Sequence, residues 1–186
     1  MHVTDELISK CRKGKYKAQV ELYKQCYSPF MQICKRYLKD HSIAGEVLND
    51  AYMKVIDNLY RFETGKPFFP WANRICVNTV IDYLRKLKRQ PFVLDINEYH
   101  GSDSEDKLKS FSTASKEMDA EAIYSLIAAL PERMRIVFNM FAIEGYSHKE
   151  IGEKMDISEG TSKWYLNQAR TKLQEELSVK KTRHQR

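Results

Sequence analysis

From Val47 onward the apolar side chains fall at Val47, Leu48, Ala51, Tyr52, Val55, Ile56 and Leu59. Pairs spaced by four trace one stripe along an α-helix. A second stripe, Trp71, Ala72, Ile75, Cys76, Thr79, Val80, Tyr83, Leu84 and Leu87, obeys the same rule, with Pro70 at a tolerated first-turn position. Between the two, Glu63-Thr64-Gly65-Lys66-Pro67 reads as a loop. Nearer the amino end, Val20, Leu22, Tyr23, Tyr27, Phe30, Met31, Cys34, Tyr37 and Leu38 predict one or two more helices without fixing their ends. The first half is expected to be a helical bundle.

Periodicity fails from Gln90 to about Asp119, where Gly101, five serines and an acidic excess replace it, as in a solvated linker. Beyond it, Ala122, Ile123, Leu126, Ile127 and Leu130 make a short amphipathic helix that stops at Pro131. Another begins there and carries Ile136, Val137, Met140 and Phe141. Ser147-His148-Lys149-Glu150 has the form of a capping box, so a helix starts there and carries Ile151 and Met155 inward. The chain breaks around Asp156-Ile157, and Ser158 caps a new helix whose inward row is Ser162, Leu166, Ala169 and Leu173. A short helix, a tight turn and a longer helix form a helix-turn-helix.

Composition narrows the class. The 186 residues, 42% hydrophobic and 30% charged, are those of a folded chain of one domain or two small ones. The net charge of +6 is unevenly spread, with +5 across 66–90, −5 across 91–123 and +3 across 145–186. Two basic blocks flanking an acidic middle permit a polyanionic partner. The four cysteines Cys11, Cys26, Cys34 and Cys76 show no CxxC pair and no histidine at zinc-ligand spacing, so no metal or other cofactor is expected. Their scatter fits reduced thiols, and early charges at Asp5, Glu6, Lys10, Arg12 and Lys13 leave no place for a signal peptide's apolar run. No stretch approaches the ~20 apolar residues of a membrane span, so a cytoplasmic protein without membrane insertion is expected.

Two surfaces could carry chemistry. In a helix-turn-helix the second helix presents its first turns to the major groove, which here points Lys163, Trp164, Asn167 and Gln168 outward. Asparagine and glutamine pair two-pronged with adenine and lysine reaches guanine, while Thr161 and the amides at the helix start suit phosphates. A helical hairpin with a solvated polar face would show the same residues. On the 71–89 helix, Arg74, Asn78, Ile81 and Arg85 lie opposite the apolar stripe, beside Asp82 and followed by Lys86, Lys88 and Arg89. The adjoining loop crowds Phe62, Phe68, Phe69 and Trp71 together. Cations beside aromatics suit single-stranded nucleic acid, whose phosphates need charge and whose bases need flat faces. The same aromatics, Trp71 above all, could equally be core.

Phe68-Phe69-Pro70-Trp71 followed by Arg74-Ile75-Cys76-Val77-Asn78-Thr79-Val80-Ile81-Asp82-Tyr83-Leu84-Arg85 resembles the F-x-x-W and R-I-A-x-N-x-x-I-D-x-x-R of extracytoplasmic-function (ECF) sigma factors. Leu130-Pro131-Glu132, Gly145-Tyr146-Ser147-His148-Lys149-Glu150-Ile151-Gly152 and Ile157-Ser158-Glu159-Gly160-Thr161 resemble their L-P-x, G-x-S-x-x-E-I-A and I-S-x-G-T. The likeness spans about Asp5 to Arg89 and Ala122 to Leu177. It implies an all-α chain of two small domains: sigma region 2 over 1–90, an acidic flexible linker over 91–119, sigma region 4 over 120–178 and a basic tail over 179–186.

The resemblance further implies a non-enzymatic initiation factor that binds core RNA polymerase and promoter DNA. Region 2 would capture a flipped base of the melted downstream element through Asn78, with Phe62, Lys66, Phe68, Trp71, Arg74 and Arg85 around it. Region 4 would read the duplex upstream element through Lys149, Gly160, Thr161, Lys163, Trp164, Asn167 and Gln168. The helix before the loop would meet polymerase at Asp50, Met53, Lys54 and Asp57. Ser162 stands where the family usually has a branched apolar residue, and Trp164 and Tyr165 replace smaller or basic ones, so looser packing and an unusual upstream preference are expected. No self-inhibitory extension is seen before the first helix, which would leave control to an anti-sigma partner. Two rivals differ in class. A plain helix-turn-helix regulator leaves the aromatic loop and Asn78 unexplained, and a nucleic-acid enzyme lacks a carboxylate cluster, a phosphate loop and a nucleophile with its base.

Overall fold

The computed structural model describes residues 3–87 and 120–184, with side chains described over 3–87 and 123–178. The predicted linker over 91–119 and the side chains of the basic tail lie outside them. Every regular element among the described residues is helical, and the chain divides into two compact units between Phe92 and Val93.

The first unit contains α1 (Asp5–Arg12), α2 (Tyr16–Tyr37), α3 (His41–Asn58), a 3-10 turn (Leu59–Arg61) and α4 (Phe68–Leu87). Caps set the starts: Thr4 Oγ1 accepts the Leu7 amide at 3.2 Å, and Asp40 Oδ1 accepts the amides of Ser42 and Ile43 at 2.8 and 3.1 Å. The segment expected to hold one or two helices is the single α2, which runs through Pro29. Proline removes one backbone bond there, yet Leu22, Cys26, Phe30 and Cys34 bury one continuous face, and tertiary packing carries the helix past the break. Helices α2, α3 and α4 pack on one another around these side chains, Val47, Leu48, Ala51 and Val55 of α3, and Ala72, Cys76, Val77 and Val80 of α4. Each fully buried aliphatic contributes about 1.5–3 kcal/mol of transfer free energy.

The second unit contains α5 (Ala120–Ala129), α6 (Glu132–Phe138) continuing as a wider π turn (Asn139–Ile143), α7 (His148–Met155) and α8 (Glu159–His184). Pro131 stands immediately before α6, where its missing N–H costs nothing. Arg135 is buried and donates to the carbonyls of Ala128 and Leu130 at 3.2 and 3.4 Å, covering the end of α5. Its burial pulls the guanidinium below its ordinary proton affinity, opposed by Glu132.

The expected capping box is present: the Glu150 amide donates to Ser147 Oγ at 3.2 Å and the Ser147 amide returns to Glu150 Oε2 at 2.9 Å. Helix α7 ends at Asp156 in the left-handed region, φ 56°. The chain then folds back so closely that a Cβ on Gly152 would stand 2.8 Å from the Ile157 carbonyl oxygen. Only glycine admits that approach, which fixes the angle between α7 and α8. Ser162, Leu166, Ala169 and Leu173 form the buried row of α8 as expected, while Met155 is only half-buried.

Candidate nucleic-acid interface

The loop between α3 and α4 is tied down from a distance. Arg12 of α1 donates from Nε to the Leu59 carbonyl at 3.0 Å and from Nη2 to the Phe62 carbonyl. One guanidinium thus brackets the 3-10 turn. Asp5 Oδ1 accepts the Gly65 amide at 3.3 Å, and Gly65 takes φ 82°, a value that suits glycine. These long-range side-chain-to-backbone contacts leave no periodic trace in a sequence and were not expected.

Burial sorts the aromatics. Phe62 and Phe68 are each 5% exposed, with ring centroids 5.5 Å apart, and Trp71 lies 5.2 and 5.8 Å from them. Phe69, half-buried, leans on Phe68 at 5.6 Å. Phe62 and Phe68 were expected to face DNA. In the chain without DNA their rings pack on each other, as three large apolar groups on a short connection gain more by mutual burial than by hydration. Trp71 keeps part of its surface outside.

On α4, Arg74 and Arg85 are exposed and Asn78 is half-buried one turn beyond Arg74. Ile81, expected on this outward face, is buried, as is Val77. Helix α4 packs on both α2 and α3, so its inward arc is wider than one stripe. Lys66 is exposed and its Nζ lies 2.7 Å from Glu63 Oε2, which holds the Glu63 carboxyl below the usual carboxylate range. Exposed pairs of this kind are weak, so Lys66 can exchange Glu63 for a phosphate at little cost.

The outward face of α3 presents Asp50, Met53, Lys54 and Asp57, all exposed. Lys54 Nζ reaches Asp82 of α4 at 3.5 Å, joining this face to the α4 surface.

In the second unit, Lys163, Trp164, Asn167 and Gln168 are all half-buried on the first three turns of α8, while Lys149 and Gly160 are exposed. Trp164 meets Tyr165 edge-on at 5.0 Å, and Arg133 of α6 donates to the Tyr165 hydroxyl at 3.0 Å. Lys163 pairs with Glu159 at 3.3 Å in an exposed bridge. The Thr161 amide donates to Ser158 Oγ at 3.0 Å and its hydroxyl shares a bond with the same atom at 2.8 Å. Ser158 therefore caps α8 as expected, but uses an amide that was expected to serve phosphate.

Among the described residues no three histidine, cysteine or acidic side chains gather as a metal site, and no helix is long and apolar enough to cross a membrane.

Comparison with known proteins agrees with this division. Residues 22–90 match the family described as Sigma-70 region 2, and residues 120–173 match Sigma-70, region 4. The chain is 27% identical over 155 residues to RNA polymerase sigma factor SigZ of Bacillus subtilis, covering 83% of this chain and 84% of that one. It is 28% identical over 175 residues to the ECF RNA polymerase sigma-E factor of Escherichia coli K12, covering 90% and 91%. Among solved structures it is similar to CnrH in complex with the cytosolic domain of CnrY, with 20% identity, a TM-score of 0.48 and coverage of 93% and 96%.

Proposed function

The chain belongs to the ECF sigma factors of the sigma-70 family, and from that premise we propose how it divides the work of initiation between its two domains. As a member it is a non-enzymatic subunit that binds core RNA polymerase and DNA and directs transcription initiation. The first domain is read as the polymerase-docking and strand-capturing part, and the second as the reader of the upstream element in duplex form.

One observation carries the division. The first unit sets exposed cations and a half-buried asparagine beside a loop buttressed from within by packed aromatics, whereas the second sets Lys163, Trp164, Asn167 and Gln168 on a capped helix at the angle fixed by Gly152. Unpaired bases need the former, and a major groove needs the latter. Lys66, Arg74 and Arg85 would hold phosphates of the melted strand, Asn78 would read a base edge, and Trp71 would offer its exposed part to a base. Phe62 and Phe68 support the loop from beneath rather than touching DNA. Lys149, Gly160 and Thr161 would meet the duplex backbone. Polymerase would dock on Asp50, Met53, Lys54 and Asp57, and an anti-sigma protein is the partner proposed for control.

Adding the purified chain to core polymerase and mapping transcripts on a fragment library tests this. Promoter-specific starts that depend on both domains are expected. Binding to duplex DNA without any dependence on polymerase would overturn it.

A further inference from the structure

Tyr60 is 69% exposed, although it directly follows the buried Leu59 and precedes by two the buried Phe62. The pairs of the α3 stripe would place it beside Leu59, but α3 ends at Asn58 and the 3-10 turn that follows carries it outward. Its neighbour Arg61, also exposed, donates from Nε to the Tyr60 hydroxyl at 2.7 Å, and the guanidinium carbon lies 5.2 Å from the ring centre. An aromatic plane and a cation therefore project together from the start of the loop. Their backbone is fixed on both sides, because Leu59 and Phe62 are core anchors and Arg12 holds both of their carbonyls.

We propose that Tyr60 is a stacking platform for one unpaired base of the melted strand, with Arg61 contacting the adjoining phosphate and Arg12 positioning the turn that carries both. The inference rests on the reading of the first domain as the strand-capturing part. Phe62 and Phe68 are buried with their rings packed on each other, so an incoming base would have to unpack them, and Trp71 keeps only part of its surface outside, whereas Tyr60 offers a face already in solvent. Stacking tolerates any base, and the guanidinium supplies the charge a phosphate requires. Fixing the turn beforehand removes ordering cost from the binding step.

The test uses holoenzyme reconstituted with wild-type chain or with Tyr60→Ala, Tyr60→Phe or Tyr60→Trp, and a dye-labelled single strand of mixed sequence, about 12 nucleotides long. Binding by core polymerase alone is subtracted. Tyr60→Ala is expected to weaken binding roughly 5- to 100-fold, with the aromatic replacements near wild type, since removing one stacked face costs that much. Affinity for core polymerase and for upstream duplex should not change. Equal retention by Tyr60→Ala, or a loss of core affinity in its place, overturns the proposal, the latter making Tyr60 a protein contact. If wild-type holoenzyme holds no more strand than core alone, the reading of the domain fails first. Arg12→Gln should weaken strand binding in the wild-type background but add nothing where Tyr60 and Arg61 are both alanine. A merely structural Arg12 would lower binding equally in both, which would remove its positioning role.

Discussion

Ser162 Oγ lies 3.0 Å from His148 Nδ1, joining the start of α8 to the first turn of α7. Ser162 is fully buried, and the His148 ring stacks on Phe141 at 4.4 Å with 21° between planes. A hydroxyl at a position where the family resemblance implied a branched apolar side chain led to an expectation of looser packing. The structure fills the place with a polar clasp instead, and a buried hydroxyl with its partner in place costs little.

Ser162→Ala should therefore destabilise the second domain by about 1 kcal/mol, the usual net value of one hydrogen bond. Ser162→Val should cost more, about 1–3 kcal/mol, because one methyl replaces the bonded hydroxyl and a second must be fitted at a fully buried position. Denaturant unfolding followed by Trp164 fluorescence measures both. In a His148→Phe background the alanine penalty should vanish, since the hydroxyl has then already lost its partner.

Charge reversal on α3 tests the docking face. Asp50→Lys with Asp57→Lys should leave helicity unchanged, because both side chains are exposed and outside the core. Affinity for core polymerase should fall several-fold, with an altered salt dependence of the association rate, as rim charges act mainly on encounter. Unchanged affinity in a competition assay would move the interface elsewhere.

Local chemistry was the legible part of this chain. The Ser147-Glu150 box and the Ser162, Leu166, Ala169 and Leu173 row follow from neighbours three and four residues apart, and the structure has them where expected. Helix α4 was harder, since a stripe at period 3.6 tells which residues share a face but not how wide an arc two flanking helices cover. Ile81 consequently went inward, and Leu87, at the end of the stripe, outward. Composition could not decide whether Phe62 and Phe68 were core or contact, because the same residue type serves both. Arg12 was out of reach altogether, as its partners lie 47 and 50 residues away and are backbone oxygens.

Alkaline pH should loosen the first domain. Burial pushes the Cys11 thiol up to about 11 and the Cys26 thiol up to about 12, and also raises Tyr52. Between the ordinary thiol value of 9.0 and those raised values, the unfolded chain has released protons that the folded chain retains. Unfolding thus gains over folding as pH rises through that window, and the stabilisation is complete only below it. The denaturation midpoint, read from Trp71 in a Trp164→Phe background, should drop between about pH 8 and pH 10.5. The drop should be smaller when Cys11 and Cys26 are both alanine.

The role proposed for Asn78 would separate a strand-capturing factor from a duplex-only binder. The residue stands one turn beyond the exposed Arg74 on α4, on a helix whose first turn begins at the packed Phe68. An asparagine amide carries both a donor and an acceptor, enough to read the edge of a base that has left the stack. Asn78→Ala should leave polymerase docking and upstream-duplex binding nearly unchanged while slowing open-complex formation about tenfold or more, the scale of one lost two-pronged contact of ~1–3 kcal/mol. A premelted bubble should recover part of that loss, because the unpairing cost is then already met. The recovery distinguishes capture of the melted strand from a folding defect, which a bubble would not relieve. Permanganate footprinting of the bubble, alongside oligonucleotide retention by the holoenzyme, measures both quantities. Wild-type opening rate together with wild-type retention in the mutant would remove Asn78 from strand reading, and the cations of α4 would then hold the strand without reading it.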